Sequence, residues 1–350
     1  MAYTDIDKSD EYFNTVLYTG DSASPKSITG VGFKPDFVWS KSRSTAENHN
    51  LYDAVRGGTQ GLRSNSDAAE TSSNTYGYVS TFNSDGVTYI SGGTNNDLNN
   101  GSGVTFVNWN WLASNTTASN TDGSITSTVS ANTTSGFSIV SWTGSGANAT
   151  IGHGLSSVPK TIIIKNRSTA DSWMVYHVGA GSNAYLHLET TNGALSPSTA
   201  QFQATTPTSS FFYVGTADGT NKSSSNMIAY CFAEKKGFSK FGSYVGNLSD
   251  DGVFCYLGFK PSFLMVKDTT TAEDWFMYDN RRPSYNYNHY LRANTSGAEV
   301  TTDNWVDFLS NGFKLRKGQT GTNRSGDTYI YMAFASEPLV GSNNVPATAR

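Results

Sequence analysis

Charge is scarce in this chain. Only 15 % of its 350 residues are Asp, Glu, Lys or Arg, and the formal net charge is −4. A protein that tracks phosphates needs a basic stripe, so a dedicated nucleic-acid binder is excluded. Long helices carry many charged side chains, and no stretch holds a helical apolar period over the length a stable helix needs. Cysteine is limited to Cys231 and Cys255, and buried free thiols are expected at both. No apolar run approaches a membrane span, and no basic region with an apolar stretch follows Met1, so synthesis in the cytosol without membrane insertion is expected. The five histidines, His49, His153, His177, His187 and His289, share no common spacing, and nucleophile-elbow, CxxC and P-loop patterns are missing. The chain therefore reads as non-enzymatic, with no catalytic residue, metal site or cofactor expected.

What the chain does contain is itself, three times. Gly20, Pro35, Lys41 and Tyr52 recur 124 positions later as Gly144, Pro159, Lys165 and Tyr176, and a further 102 positions on as Gly246, Pro261, Lys267 and Tyr278. Each proline precedes an apolar run that ends in the lysine. Proline cannot donate to a sheet ladder, so it suits the start of a strand, and the β-branched and aromatic run behind it suits a buried one. A Trp173–Tyr176 or Trp275–Tyr278 segment follows, answered in the first copy by Asn50-Leu51-Tyr52 without a tryptophan. Further on, Leu62 aligns with Leu186 and Leu291, Phe82 with Phe211 and Phe308, and Gly86 with Gly215 and Gly312. Each copy closes on an aromatic strand, at Val107–Trp111, Ile228–Phe232 and Ile330–Phe334.

These patterns predict an all-β fold of three tandem β-sandwich domains, jelly-roll or concanavalin-like. The predicted boundaries are 1–114, 136–235 and 236–337, with a Ser/Thr/Asn-rich linker or single exposed strand at 115–135 and an extended arm at 338–350. The aromatic cluster Tyr285, Tyr287, Tyr290 around His289 has no counterpart in the other copies, and Arg281-Arg282 beside it is the densest basic spot. Tyrosines on a sandwich loop can stack on sugars or on a neighbouring subunit, so these six are the candidate binding or interface residues. An arginine pair is more often a solvated turn or an interface ion pair than a phosphate clamp.

Tyr12–Gly20, Gly32–Trp39, Gly136–Gly144, Gly152-His153-Gly154-Leu155 and Phe308–Arg316 resemble a family of virion structural proteins from tailed phages of marine bacteria, cyanophages among them. The resemblance covers essentially the whole chain. It implies a virion protein displayed on the particle surface, a tail-associated appendage or fibre component contacting the host, with capsid decoration or a head fibre as the alternative. It further implies other virion proteins as partners, a homo-oligomer with a trimer favoured, and a host surface glycan as a possible ligand. A carbohydrate-degrading tail enzyme would need an acidic pair facing one groove, and the repeats share none.

Overall fold

The computed structural model describes residues 3–72, 76–92, 98–282 and 289–343. Each repeat builds one large antiparallel sheet around the same four strands in the same order. The opening strands are Phe13–Thr19, Phe137–Thr143 and Ser239–Val245, and each pairs with a closing strand, Thr105–Trp111, Asn226–Ala233 or Thr328–Pro338. Beyond the closing strand lies the strand that carries the repeated lysine, Phe37–Ser42, Pro159–Asn166 or Phe259–Asp268. An outer strand follows it, Asn50–Asp53, Met174–His177 or Trp275–Asp279. The lysine strand is central and covered on both faces, which is why it reads as an unbroken apolar run.

A small sheet covers one face of each large one. Lys26–Ile28 pairs with Gly86–Ile90, Ala149–Gly152 with Phe211–Val214, and Phe254–Tyr256 with Gly312–Leu315. The two layers of each repeat enclose a separate apolar core, so the molecule is all-β and built of sandwiches. The pairing also corrects one alignment. Phe211 lies opposite Gly152 as Gly312 lies opposite Tyr256, so Phe211 is the counterpart of Gly86 and Gly312 rather than of Phe82. The second repeat lacks the extra hairpin strand found at Tyr78–Asn83 and Val306–Leu309.

The other faces of the three large sheets meet each other. Phe13, Trp39, Trp109 and Trp111 pack with Phe137, Ile163 and Phe232 and with Phe263, Met265 and Phe334 in one continuous core. Register makes Trp111, Phe232 and Phe334 equivalent. Their rings form a triangle with centroids 6.3, 5.9 and 5.7 Å apart, which marks a pseudo-threefold axis. Burying each such ring contributes roughly 2–3 kcal/mol. The three sandwiches are therefore joined by a shared core and close into a ring. An apolar cavity of about 10 Å³ is left beside the axis, room for about one water.

Two joints differ from the sequence-based expectation. Residues 115–135 are part of the second sandwich, because Ala118–Asn120 and Ser127–Asn132 extend its large sheet, with Thr128 opposite Ser141 and Val129 opposite Val140. Val129 is buried in the second outer core, and Ser127 and Ser130 are buried beside it. A strand this polar is kept by its ladder bonds and one inward valine, a signal hidden by its low hydropathy. The arm begins at Leu339, because Glu337 and Pro338 still belong to the closing strand. Leu339 N–H and Tyr3 OH both donate to Gly258 O of the third repeat, at 3.2 and 2.9 Å, and Ser342 N–H donates to Asp7 Oδ1 at 2.6 Å, so the described segments before the first and after the last repeat meet there.

The repeated glycine has a steric cause. A Cβ on Gly20, Gly144 or Gly246 would lie 2.1, 2.1 or 2.2 Å from the carbonyl oxygen of Gly101, Lys222 or Arg324. An asparagine just before each of these carbonyls clamps the loop after the opening strand: Asn100, Asn221 and Asn323 donate Nδ2–H to Ala23, Ala147 and Ser249 O at 2.7, 2.6 and 2.9 Å. Only a residue without a side chain lets the two backbones approach so closely.

Candidate functional site

The buried arginine–carboxylate pairs of the interior lie at the seams between repeats. Trp173 Nε1–H of repeat 2 donates to Arg63 O of repeat 1 at 2.9 Å, and Trp275 Nε1–H of repeat 3 donates to His187 O of repeat 2 at 3.0 Å. The third seam closes the ring. There the tryptophan position holds His49, whose Nδ1 accepts from Trp39 Nε1–H at 2.8 Å, so the ring proton sits on Nε2 and is given to Arg292 O at 3.0 Å. Burial holds the His49 imidazolium well below the usual histidine range. The tryptophan that the first copy lacks is thus replaced by a histidine backed by a tryptophan one strand away.

Behind these bonds, two seams carry the same charged network. Between repeats 1 and 2, Arg56 lies against Asp53, donates to Glu70 Oε1 at 2.8 Å and reaches Tyr230 OH at 3.2 Å. Tyr230 OH donates to Asp53 Oδ2 at 2.8 Å, and Arg167 of repeat 2 pairs with Glu70 at 2.8 Å. Between repeats 3 and 1, Arg282 lies against Asp279 and pairs with Glu299 at 3.0 Å, Trp109 Nε1–H donates to Asp279 Oδ2 at 2.9 Å, and Arg43 pairs with Glu299 at 2.8 Å. The guanidiniums of Arg56 and Arg282 and their aspartates are fully buried. Tyr230 and Trp109 occupy equivalent positions, since Ile163 lies opposite the first as Trp39 lies opposite the second.

The seam between repeats 2 and 3 is stripped of this network. His177 and Ala180 stand where the aspartate and arginine stand elsewhere, Ala194 and Thr269 replace the glutamate and its partner arginine, and Met332 replaces the aromatic polar group. Methionine offers no donor, so His177 Nε2–H turns to the backbone at Tyr331 O, 3.0 Å away, while its Nδ1 accepts from Gly179 N–H. Burial depresses its pKa to about 4. The backbone bond common to all seams survives: Glu70, Ala194 and Glu299 N–H donate to Arg167, Thr269 and Arg43 O. Repeats 2 and 3 are tied by the tight turn from Ala233 to Ser239, which keeps their faces at high effective concentration. The ring-closing seam has no covalent link and the first has a long one, and those two carry the arginine–carboxylate networks.

The repeated lysines serve the same frame. Lys41, Lys165 and Lys267 are fully buried and donate from Nζ to the carbonyl of the next residue at 2.6, 2.7 and 2.7 Å. Lys267 adds Thr191 O across the stripped seam at 3.1 Å. Burial pushes all three ammonium groups down to about 8. Cys231 and Cys255 are free and buried, and burial raises both thiols, the second to about 12.

The six candidate residues divide. Arg282 belongs to the ring-closing seam and is inaccessible, and Tyr290 is a core residue stacked on Trp305 at 4.7 Å and edge-on to Phe276 at 5.3 Å, so neither presents itself to a ligand. Arg281 is exposed, with its backbone N–H on Asp279 Oδ1 at 3.0 Å. His289 is partly buried with Nδ1 3.8 Å from Glu299 Oε2, and burial lowers its pKa despite that carboxylate. Tyr285 and Tyr287 lie outside the described residues. Sequence reasoning missed Asp53, Arg56, Glu70 and Arg167, whose only trace is the pair of Asp-x-x-Arg segments at Asp53–Arg56 and Asp279–Arg282.

Residues 8–338 match the family described as a domain of unknown function, DUF7483. The chain belongs to that family. No curated protein matches it. The DUF7483 match starts ahead of the first opening strand and ends with the last closing strand, so the family unit is the whole three-repeat ring. That is the unit the shared core and the three seams make necessary. Among the described residues of this DUF7483 chain, no helix is long and apolar enough to cross a membrane.

Proposed function

We propose that the protein is a non-enzymatic structural component of a phage virion, displayed on the particle surface as a tail-associated appendage that contacts the host. Its partners are other virion proteins and further copies of itself. The observation that carries the structural part of this reading is the use of the buried charges. Asp53, Arg56, Asp279, Arg282 and the three lysines each hold one segment or repeat against another, and the neutral His49 and His177 add hydrogen bonds across two seams. Charge placed this way gives a stiff module whose repeats cannot separate one at a time. The placement on a virion follows from the resemblance of the repeat motifs to phage structural proteins. Threefold geometry, which a fibre trimer obtains from three chains, is here built by three repeats of one chain.

Gold labelling of intact particles with an antibody to this chain, imaged by electron microscopy, tests the proposal. Label at the tail supports attachment, and label spread over the head would replace it with decoration. Particles that carry no label while the infected cell contains the protein would overturn a virion role.

A further inference from the structure

One side of each sandwich ends in two free edges, that of the opening strand and that of the first small-sheet strand, and the three repeats treat it differently. In repeat 2 it is sealed by the chain itself. Ser127–Asn132 pairs with the opening strand, Ser124 and Thr150 exchange N–H to hydroxyl bonds at 2.8 and 2.9 Å, and Ile125 N–H donates to Thr150 O. In repeat 1 no strand among the described residues pairs with this side, and the side chains along it are polar: Thr19, Ser22, Ser27 and Thr29 are all exposed. In repeat 3 no strand among the described residues pairs with it either, since the turn from Ala233 to Ser239 is too short to supply a covering ribbon.

Register places Val245, Leu248, Phe254 and Tyr256 of repeat 3 at those same four positions. They are 55, 51, 43 and 49 % exposed, and they are four of the five exposed large hydrophobic residues among those described. An open edge carrying polar side chains, as in repeat 1, keeps them hydrated at no apolar cost. An apolar strip at the matching positions of repeat 3 marks an edge that is covered in use.

We propose that this strip joins two copies of the chain edge to edge about a twofold axis. Phe241 N–H faces away from the closing strand, toward Glu234 Oε2 at 3.3 Å, so by the two-residue period Ser243 and Val245 point their N–H groups out of the same open edge. Charge selects the occupant. Lys240 marks one end of the strip, its Nζ on Tyr256 O at 2.8 Å, and Asp250 lies beyond Leu248 at the other end. Antiparallel pairing of two identical strips brings each lysine to the partner's acidic end and keeps like charges apart. The same twofold sets the Tyr256 end of each strip against the Leu248 end of the other and extends the large sheet across the dyad.

Sedimentation equilibrium of the full chain over about 1 to 100 µM tests this, the range in which a small apolar edge contact forms. A dimer is expected, with Val245→Lys and Tyr256→Lys each weakening it at least tenfold, because each substitution is met twice across the dyad. Ser27→Lys, at the equivalent edge of repeat 1, should leave it intact. Amide exchange at Ser243 and Val245 should slow as wild-type concentration rises, a readout that holds even where a variant fails to fold. A monomer throughout this range would overturn the proposal. So would a trimer, or a dimer that neither variant weakens.

Discussion

Replacing Arg56 with methionine removes one guanidinium that serves Asp53, Glu70, Gln60 O, Leu51 O and Tyr230 OH together. Not all of these are orphaned. Leu51 O still accepts from Leu62 N–H at 3.1 Å, and Glu70 keeps Arg167. Asp53 is the loser: it is fully buried and retains only neutral donors, the Val55 and Arg56 N–H groups and Tyr230 OH. An uncompensated buried charge of this kind costs about 3–5 kcal/mol. With an unfolding entropy of about 2.1 cal/mol/K per residue over 350 residues, a loss of about 4 kcal/mol lowers Tm by roughly 5 °C. Urea denaturation followed by tryptophan fluorescence measures the loss directly. The double variant with Asp53→Asn should recover a substantial part, giving a coupling energy of about 2 kcal/mol. Arg282→Met should match Arg56→Met, because Asp279, Glu299 and Arg43 repeat the geometry. A cost below about 1 kcal/mol, or strictly additive singles, would refute the claim that these networks hold the seams.

Two further substitutions probe the frame. His177 is neutral in the fold with its pKa depressed to about 4, against an ordinary 6.5, so its contribution is complete above pH 6.5 and is lost as pH falls from there toward 4. Between about pH 7.5 and 5 this amounts to about 2 kcal/mol, and His177→Gln should show a correspondingly smaller pH dependence of its urea midpoint; equal slopes would mean the imidazole titrates freely. Gly144→Ala places a methyl 2.1 Å from Lys222 O and should cost about 3 kcal/mol by calorimetry, whereas a loss under about 0.5 kcal/mol would show that the clamped loop can give way.

Much of the fold was legible because a strand's period of two and a proline at its start are local properties. The Pro35, Pro159 and Pro261 segments each led to a central buried strand, and the lysine that ends each run is the anchor of the following turn. The 115–135 ribbon was harder to read. Val129 and Ile125 are its few apolar residues, and what holds it is a ladder to Phe137–Thr143 that leaves no mark in composition. The candidate loop was misjudged at Tyr290 and Arg282 for a related reason. An exposed tyrosine or arginine and a buried one are the same letter, and only the position of Trp305 for the first and of Asp279 for the second tells them apart.

The sequence by itself determined three copies of an all-β unit, the central and closing strands of each large sheet, and the glycine, proline and lysine that every copy needs, since these depend on backbone sterics and short-range hydrogen bonding. Only the tertiary structure decided that the copies close into a ring. Closure rests on contacts between residues far apart in the chain, Arg43 with Glu299, His49 with Arg292, Trp109 with Asp279, and no periodicity records which distant side chain will meet which. It also decided where the arginine–carboxylate networks went: to the seam with no covalent tie and the seam with a long one, and not to the seam that a short turn already holds.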